Sequence, residues 1–192
     1  MEKEMVKKFA SREQIIESLR KDRNLAGADM SGLDLTGIRL AGLSMKGADL
    51  HDSNLTHATL AGLDMSEVNL ANATLDQARI AGADMHGANL RGAHLDSIKM
   101  AGVDLKAADL TGADLSHSRL VGVDVAEADF SEVKTVEAKA IANWDEAKIR
   151  PTEMPEPIFT PPTWLPLAVI GGIIALVILF KVSRSKKLAQ KT

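Results

Sequence analysis

Five histidines, His51, His57, His86, His94 and His117, are the imidazoles this chain offers for metal binding or proton transfer, and no cysteine accompanies them. A metal site needs several ligands converging on one ion. Only His57 and His117 recur at a multiple of the chain's internal period, sixty residues apart, so no set of three is assembled. Serine, histidine and aspartate are all frequent enough for a nucleophilic triad, but a triad also needs a concave pocket. Gly32, Gly37, Gly42 and Gly47 recur every five residues, which is not the spacing of a phosphate-cradling loop. The missing cysteine removes disulfides, zinc thiolates and cysteine nucleophiles. A formal net charge of −3 and a pI near 6.0 give no bulk attraction for nucleic acid. No catalytic, cofactor-binding or metal-binding residue is assigned, and the chain reads as non-enzymatic.

The elements that position these residues follow from the apolar pattern. From Leu25 to Phe130 every fifth residue is Leu, Met, Ile, Val or Phe, 22 positions in succession. A helix repeats its apolar positions at three and four, and a half-buried strand repeats them at two. A period of five fits neither. Two places before each large residue sits a smaller one, as at Ala28, Leu33, Ile38, Leu43 and Ala48, and the residue between is mostly Asp or Asn, as at Asp29, Asp34, Asp49, Asn54 and Asn69. Two of every five side chains then point inward. Between Phe9 and Phe130 there is no aromatic residue, so the interior is narrow and filled by aliphatic groups.

This A-[D/N]-L-x-x unit resembles the pentapeptide-repeat family over residues 24–130. The resemblance implies an all-β solenoid, a right-handed quadrilateral β-helix in which four units close one square coil. A 20-residue period should then be visible, and it is: Ala41-Gly42-Leu43-Ser44-Met45 recurs as Ala61–Met65, Ala81–Met85, Ala101–Leu105 and Val121–Val125. Coils spaced at about 4.8 Å give a stack about 26 Å long. Leu50, Leu70, Leu90, Leu110, Met65, Met85 and Leu105 form the structural core ladder in this reading. His57 and His117 fall three coils apart, roughly 14 Å, too far for one ion.

The coil period sorts the outward charges into columns. Asp64, Asp84, Asp104 and Asp124 make an acidic column, and Arg39, Arg79, Lys99 and Arg119, with Thr59 among them, make a basic one. Over residues 24–130 there are fifteen acidic and seven basic residues, a net of −8. Asp and Asn suit turns and keep the surface soluble. The sharper alternative is that an acidic rod imitates duplex DNA, as some pentapeptide-repeat proteins do toward DNA gyrase; one basic column does not suit that role. The basic column is a candidate docking stripe for an acidic partner, or a solvated edge beside the Asp columns.

The ends are different. Residues 1–23 are charged, hold no signal-peptide-like apolar run and contain a capping box, Ser11-Arg12-Glu13-Gln14, which predicts a short N-terminal capping helix over 11–22. The β-helix is expected over 24–150, regular to 130 and degenerate to 149, with Trp144 plugging its open end. A proline-rich linker, 151–163, follows. Trp164–Phe180 is 17 residues without a charge, about 25 Å as a helix, and predicts a C-terminal transmembrane helix over 164–182 with a basic tail at 183–192. Trp164, Lys181 and Arg184 read as its interfacial anchors.

Taken together, these features predict a single-pass, C-terminally anchored membrane protein whose partners are the lipid bilayer, through 164–182, and an unknown protein. Small-xxx-small pairs such as Ala168/Gly172 could support a homo-oligomer. The basic tail favours a cytoplasmic C-terminus, whereas the lack of an export signal favours a cytoplasmic repeat domain; the second is preferred. The expected role is a membrane-anchored scaffold or protein-interaction module. The alternative is a DNA mimic acting on a DNA-binding enzyme; no direct nucleic-acid binding is expected.

Overall fold

A computed structural model describes residues 6–148 and 150–158. The transmembrane segment 164–182, its anchors Trp164, Lys181 and Arg184, the tail and most of the linker lie outside the described residues. Among the described residues no helix is long and apolar enough to cross a membrane.

The chain begins with helix α1 (Arg12–Lys21) and then makes an all-parallel β-solenoid of about six turns. Its longest side carries strands β1 (Arg39–Ala41), β2 (Thr59–Ala61), β3 (Arg79–Ala81), β4 (Lys99–Ala101), β5 (Arg119–Val123), β6 (Lys139–Ala142) and β7 (Glu156–Pro157), paired in sequence order. From β1 to β5 each residue pairs with the one twenty places on, as Arg39 with Thr59 and Leu40 with Leu60. Three further columns of parallel bridges run up the stack. They pass through Asn24, Ser44 and Asp64, through Asp29, Asp49 and Asn69, and through Asp34, Asn54 and Thr74. Four columns offset by five residues and repeating every twenty make a four-sided coil.

The period of five has a local cause. On each of the three bridge sides the backbone turns right after the ladder residue, with the N–H of Ala28, Leu33 or Ile38 donating to the carbonyl three residues back. The third residue of that turn has positive φ, which is the signature of a type II turn and favours glycine. The strand side is different: it runs one residue further in extended conformation and bends at Gly42, Gly62, Gly82, Gly102 and Gly122, whose φ lies between 58° and 61°. The five coils from β1 to β5 use glycine there, and the β6 coil has Ala142 in its place.

Leu50, Met65, Leu70, Met85 and Leu90 are completely buried, and Leu105 and Leu110 essentially so. Each such side chain contributes roughly 1.5–3 kcal/mol through removal from water, and each coil packs only on its neighbours, so cohesion is a sum of nearest-neighbour contacts.

Both ends are covered. Ser11 caps α1, its hydroxyl accepting from the Gln14 amide, while the Gln14 side chain accepts from Ala10 rather than from Ser11 as a full capping box would require. Ile15 and Phe9 close the first coil, and residues 7–9 pair with Asp29. At the far end the five-residue beat continues past Phe130: Val133, Thr135, Ala138 and Ala140 are all buried. The register then slips, with Val121 opposite Ile141 but Val123 opposite Ala142. This places Trp144 against Phe130, edge to face, with ring centroids 5.1 Å apart. The solenoid does not stop at residue 150. Pro151 and Pro155 are buried, the Thr135 hydroxyl donates to Glu153, and β7 adds to the sheet as its last strand. Prolines are compatible with this edge because an edge strand does not need every N–H paired.

Candidate functional site: a basic face beside closed acidic columns

The Asp and Asn residues that open the three bridge sides do local work. In fourteen of these corners the side-chain oxygen accepts a hydrogen bond from the backbone N–H two residues on, from Asn24–Ala26 through Asp129–Ser131. This is an Asx turn, which pre-forms the corner. Neighbouring coils then share the remaining capacity: the Asn69 amide donates to Asp49, and the Asn89 amide to Asn69.

Cations close much of what is left. Lys8 lies 2.9 Å from Asp29, Arg91 3.0 Å from Asp109, and Lys106 sits 3.0 Å from both Asp104 and Asp124. Lys134 and Lys148 reach Asp114 and Asp129. The Lys8 hydrogen bond, helped by Ser31, holds the Asp29 carboxyl well below its usual range. Partial burial pushes Asp124 upward, but Lys106 and Asn143 outweigh it and the carboxyl titrates low. Lys106 is raised, chiefly by its bond to Asp104 and then by Asp124. The acidic column Asp64, Asp84, Asp104, Asp124 is thus structural turn chemistry, partly neutralised from within.

The strand side lacks this closure. On β1 to β6 its first residues are Arg39, Thr59, Arg79, Lys99, Arg119 and Lys139, and all five cations are exposed; on β7 the same place is taken by Glu156, in register with Lys139. Among the described residues none of the five makes an ion pair or a side-chain hydrogen bond; the paired cations are elsewhere, as at Lys8, Lys46, Arg91, Lys106, Lys134 and Lys148. Like charges one coil apart repel by about 0.9 kcal/mol in water. Nothing in the backbone requires this, because an extended strand needs no Asx acceptor at that position. Lys139 was missed in the sequence because the ladder was taken as regular only to residue 130.

Beside this column runs a shallow groove lined by His57, Gln77, Ser97 and His117. The two histidines do share a column, as their spacing implies. His117 Nδ1 lies 2.6 Å from Asp96, and that bond raises the imidazole pKa, with partial desolvation opposing it. Besides Asp96 at His117, the carboxylates of Glu137 and Glu156 line the far end of this groove, next to Lys99 and Lys139. Among the described residues no group of three metal-ligating side chains converges.

The model of the family described as pentapeptide repeats (8 copies) matches residues 24–62, 60–96 and 98–134. With more than half of its length matched, the chain belongs to the pentapeptide-repeat family. Rfr23, a pentapeptide repeat protein of the cyanobacterium Cyanothece 51142, is 21% identical over 70% of this chain and 97% of its own, with a TM-score of 0.50. It shares the fold. QnrB1, a plasmid-mediated fluoroquinolone resistance protein, is 22% identical over 67% of this chain and 73% of its own, at a TM-score of 0.35. A pentapeptide repeat protein of the Arabidopsis thaliana thylakoid lumen is 28% identical over 58% and 68%, at 0.22. No curated protein sequence matches the chain.

Proposed function

We propose that this protein is a non-enzymatic scaffold that presents its β-solenoid at a membrane as a docking surface. The observation that carries the reading is the row of five cations, none in an ion pair among the described residues, on a parallel sheet. The solenoid fold supports a binding role, since repeat stacks offer extended surfaces rather than enclosed catalytic pockets. The membrane half of the proposal rests on the uncharged run Trp164–Phe180 and the basic residues after it. In this reading the segment 164–182 anchors the chain in the bilayer, Trp164, Lys181 and Arg184 sit at the interfaces, and the repeat domain faces the cytoplasm.

Fractionation tests the anchor. The full chain should sediment with membranes and resist carbonate extraction, and a variant lacking 164–192 should not. Full-length protein recovered in the soluble fraction would dispose of the anchor. Protease accessibility in intact cells reads which side the solenoid occupies.

The DNA-mimic alternative asks the acidic columns to be open to a DNA-binding enzyme. The Asx turns and lysine bridges make it the weaker reading. Inhibition of gyrase supercoiling by the purified protein at micromolar concentration would reverse that order.

A further inference from the structure

The partner of the basic face can be given a chemical class. We infer that the strand side of the solenoid lies against an anionic lipid surface, its cations Arg39, Arg79, Lys99, Arg119 and Lys139 meeting phosphate and carboxylate headgroups. This deepens the membrane reading above and rests on it.

Three observations converge. The first is charge: five exposed, unpaired cations stand in one column over five coil steps, roughly 24 Å. The second is what lies beside them. The next outward position on the same strands is small and apolar, at Ala41, Ala61, Ala81 and Ala101, so the face is flat and long side chains stand clear of it. At its C-terminal end that column turns into Val121 and Ile141, exposed by 38% and 52%, with Val136 at 54% on the corner that enters β6. A basic surface ending in exposed aliphatic side chains is what an interfacial lipid contact requires, headgroup charge pairing over shallow apolar insertion.

The third is where the chain goes. β7 is the last strand of this same sheet, so the chain leaves the solenoid beside Lys139, on the side of the basic column, with Glu156 as the one carboxylate that ends it. Trp164 follows Ile158 by six residues, a reach of at most about 20 Å. In the anchored reading above, so short a linker keeps the solenoid near headgroups at high effective concentration. An acidic protein partner would match the charge but would leave the aliphatic end and the exit point unexplained.

The chain has no cysteine, so one introduced thiol gives one label. Thr59→Cys places an environment-sensitive fluorophore in the basic column, and Ala71→Cys places it across the coil. Full-length labelled protein is reconstituted into phosphatidylcholine vesicles with and without phosphatidylserine. The expected result is a blue shift at position 59 only, only with phosphatidylserine, and reversed by high salt. Neutralising Arg79→Gln, Lys99→Gln and Arg119→Gln together should weaken this association on the order of a hundredfold, at about fivefold per cation.

A position-59 signal indifferent to phosphatidylserine in protein that has inserted overturns the lipid contact and leaves the anchor standing. Protein that binds only phosphatidylserine vesicles, through position 59, overturns the anchor and leaves the lipid contact standing. A shift produced by polyglutamate and not by phosphatidylserine overturns the contact in favour of an acidic protein.

Discussion

The acidic columns and the basic column are built on one period and hang from one core, yet they are opposite kinds of surface. On the bridge sides the backbone turns at once, and an Asp or Asn at the opening position satisfies the N–H two residues on. The charge there is a by-product of turn formation, and Lys8, Arg91, Lys106 and Lys148 tie it down. On the strand side the chain stays extended for one more residue, the turn is made by glycine, and the opening position is free of structural duty. Arginine and lysine occupy it with no ion pair among the described residues. A charge that the fold needs says little about function. A charge that the fold neither needs nor neutralises is the better guide to a binding surface.

Four experiments test that contrast. The largest effect belongs to the core that both surfaces share: Leu90→Ala should cost about 2–5 kcal/mol in chemical denaturation and loosen acidic and basic sides alike. Next is Ser118, buried directly before Arg119 with a hydroxyl that finds no partner among the described residues. The equivalent places in two earlier coils are Ala58 and Ala78. Ser118→Ala should raise stability by about 1 kcal/mol, and unchanged or lower stability would mean that the hydroxyl is satisfied after all.

The third is a paired comparison. Lys106→Met removes the cation between Asp104 and Asp124 and should cost about 0.5–1 kcal/mol, a modest amount because all three groups are partly exposed. Lys99→Met should stay within about 0.5 kcal/mol of the parent or gain slightly. Equal losses from the two would erase the distinction between closed and open columns.

The smallest effect is a titration. The Asp96 bond raises His117 above its ordinary value. The stabilisation it brings is therefore fully present below about pH 6.5 and is lost as pH rises through the raised folded value. NMR titration should show His117 above the ordinary imidazole value, and Asp96→Asn should bring it down. Because His117 lines the groove beside Lys99, the basic face gains charge as pH falls.

Much of the fold was legible in the residues. The 22-fold recurrence of a large apolar residue every five places, with a 20-residue modulation, specifies a four-sided stack because no helix or plain strand satisfies both periods. Ser11 as a helix cap and Trp144 as an end plug were equally readable, since each is a local or terminal packing requirement. The far end was read short. Thr135 and Ala140 look like weak core residues, yet the coil below supplies the contacts that keep them in register. Pro151–Pro157 reads as a spacer because proline-rich composition carries no pairing signal. Its place as the last sheet edge depends on the carbonyl of Ala138, which only the stacked coil presents.

The repeat, the ladder and the columns of like residues follow from the order of residues alone, because a strict period places equivalent side chains one above another whatever the details. Only the tertiary structure decided which columns are closed. Ion pairs such as Lys106 with Asp104 and Asp124, or Arg91 with Asp109, join neighbouring coils across a gap of a few ångströms, and that proximity exists only once the coils have stacked.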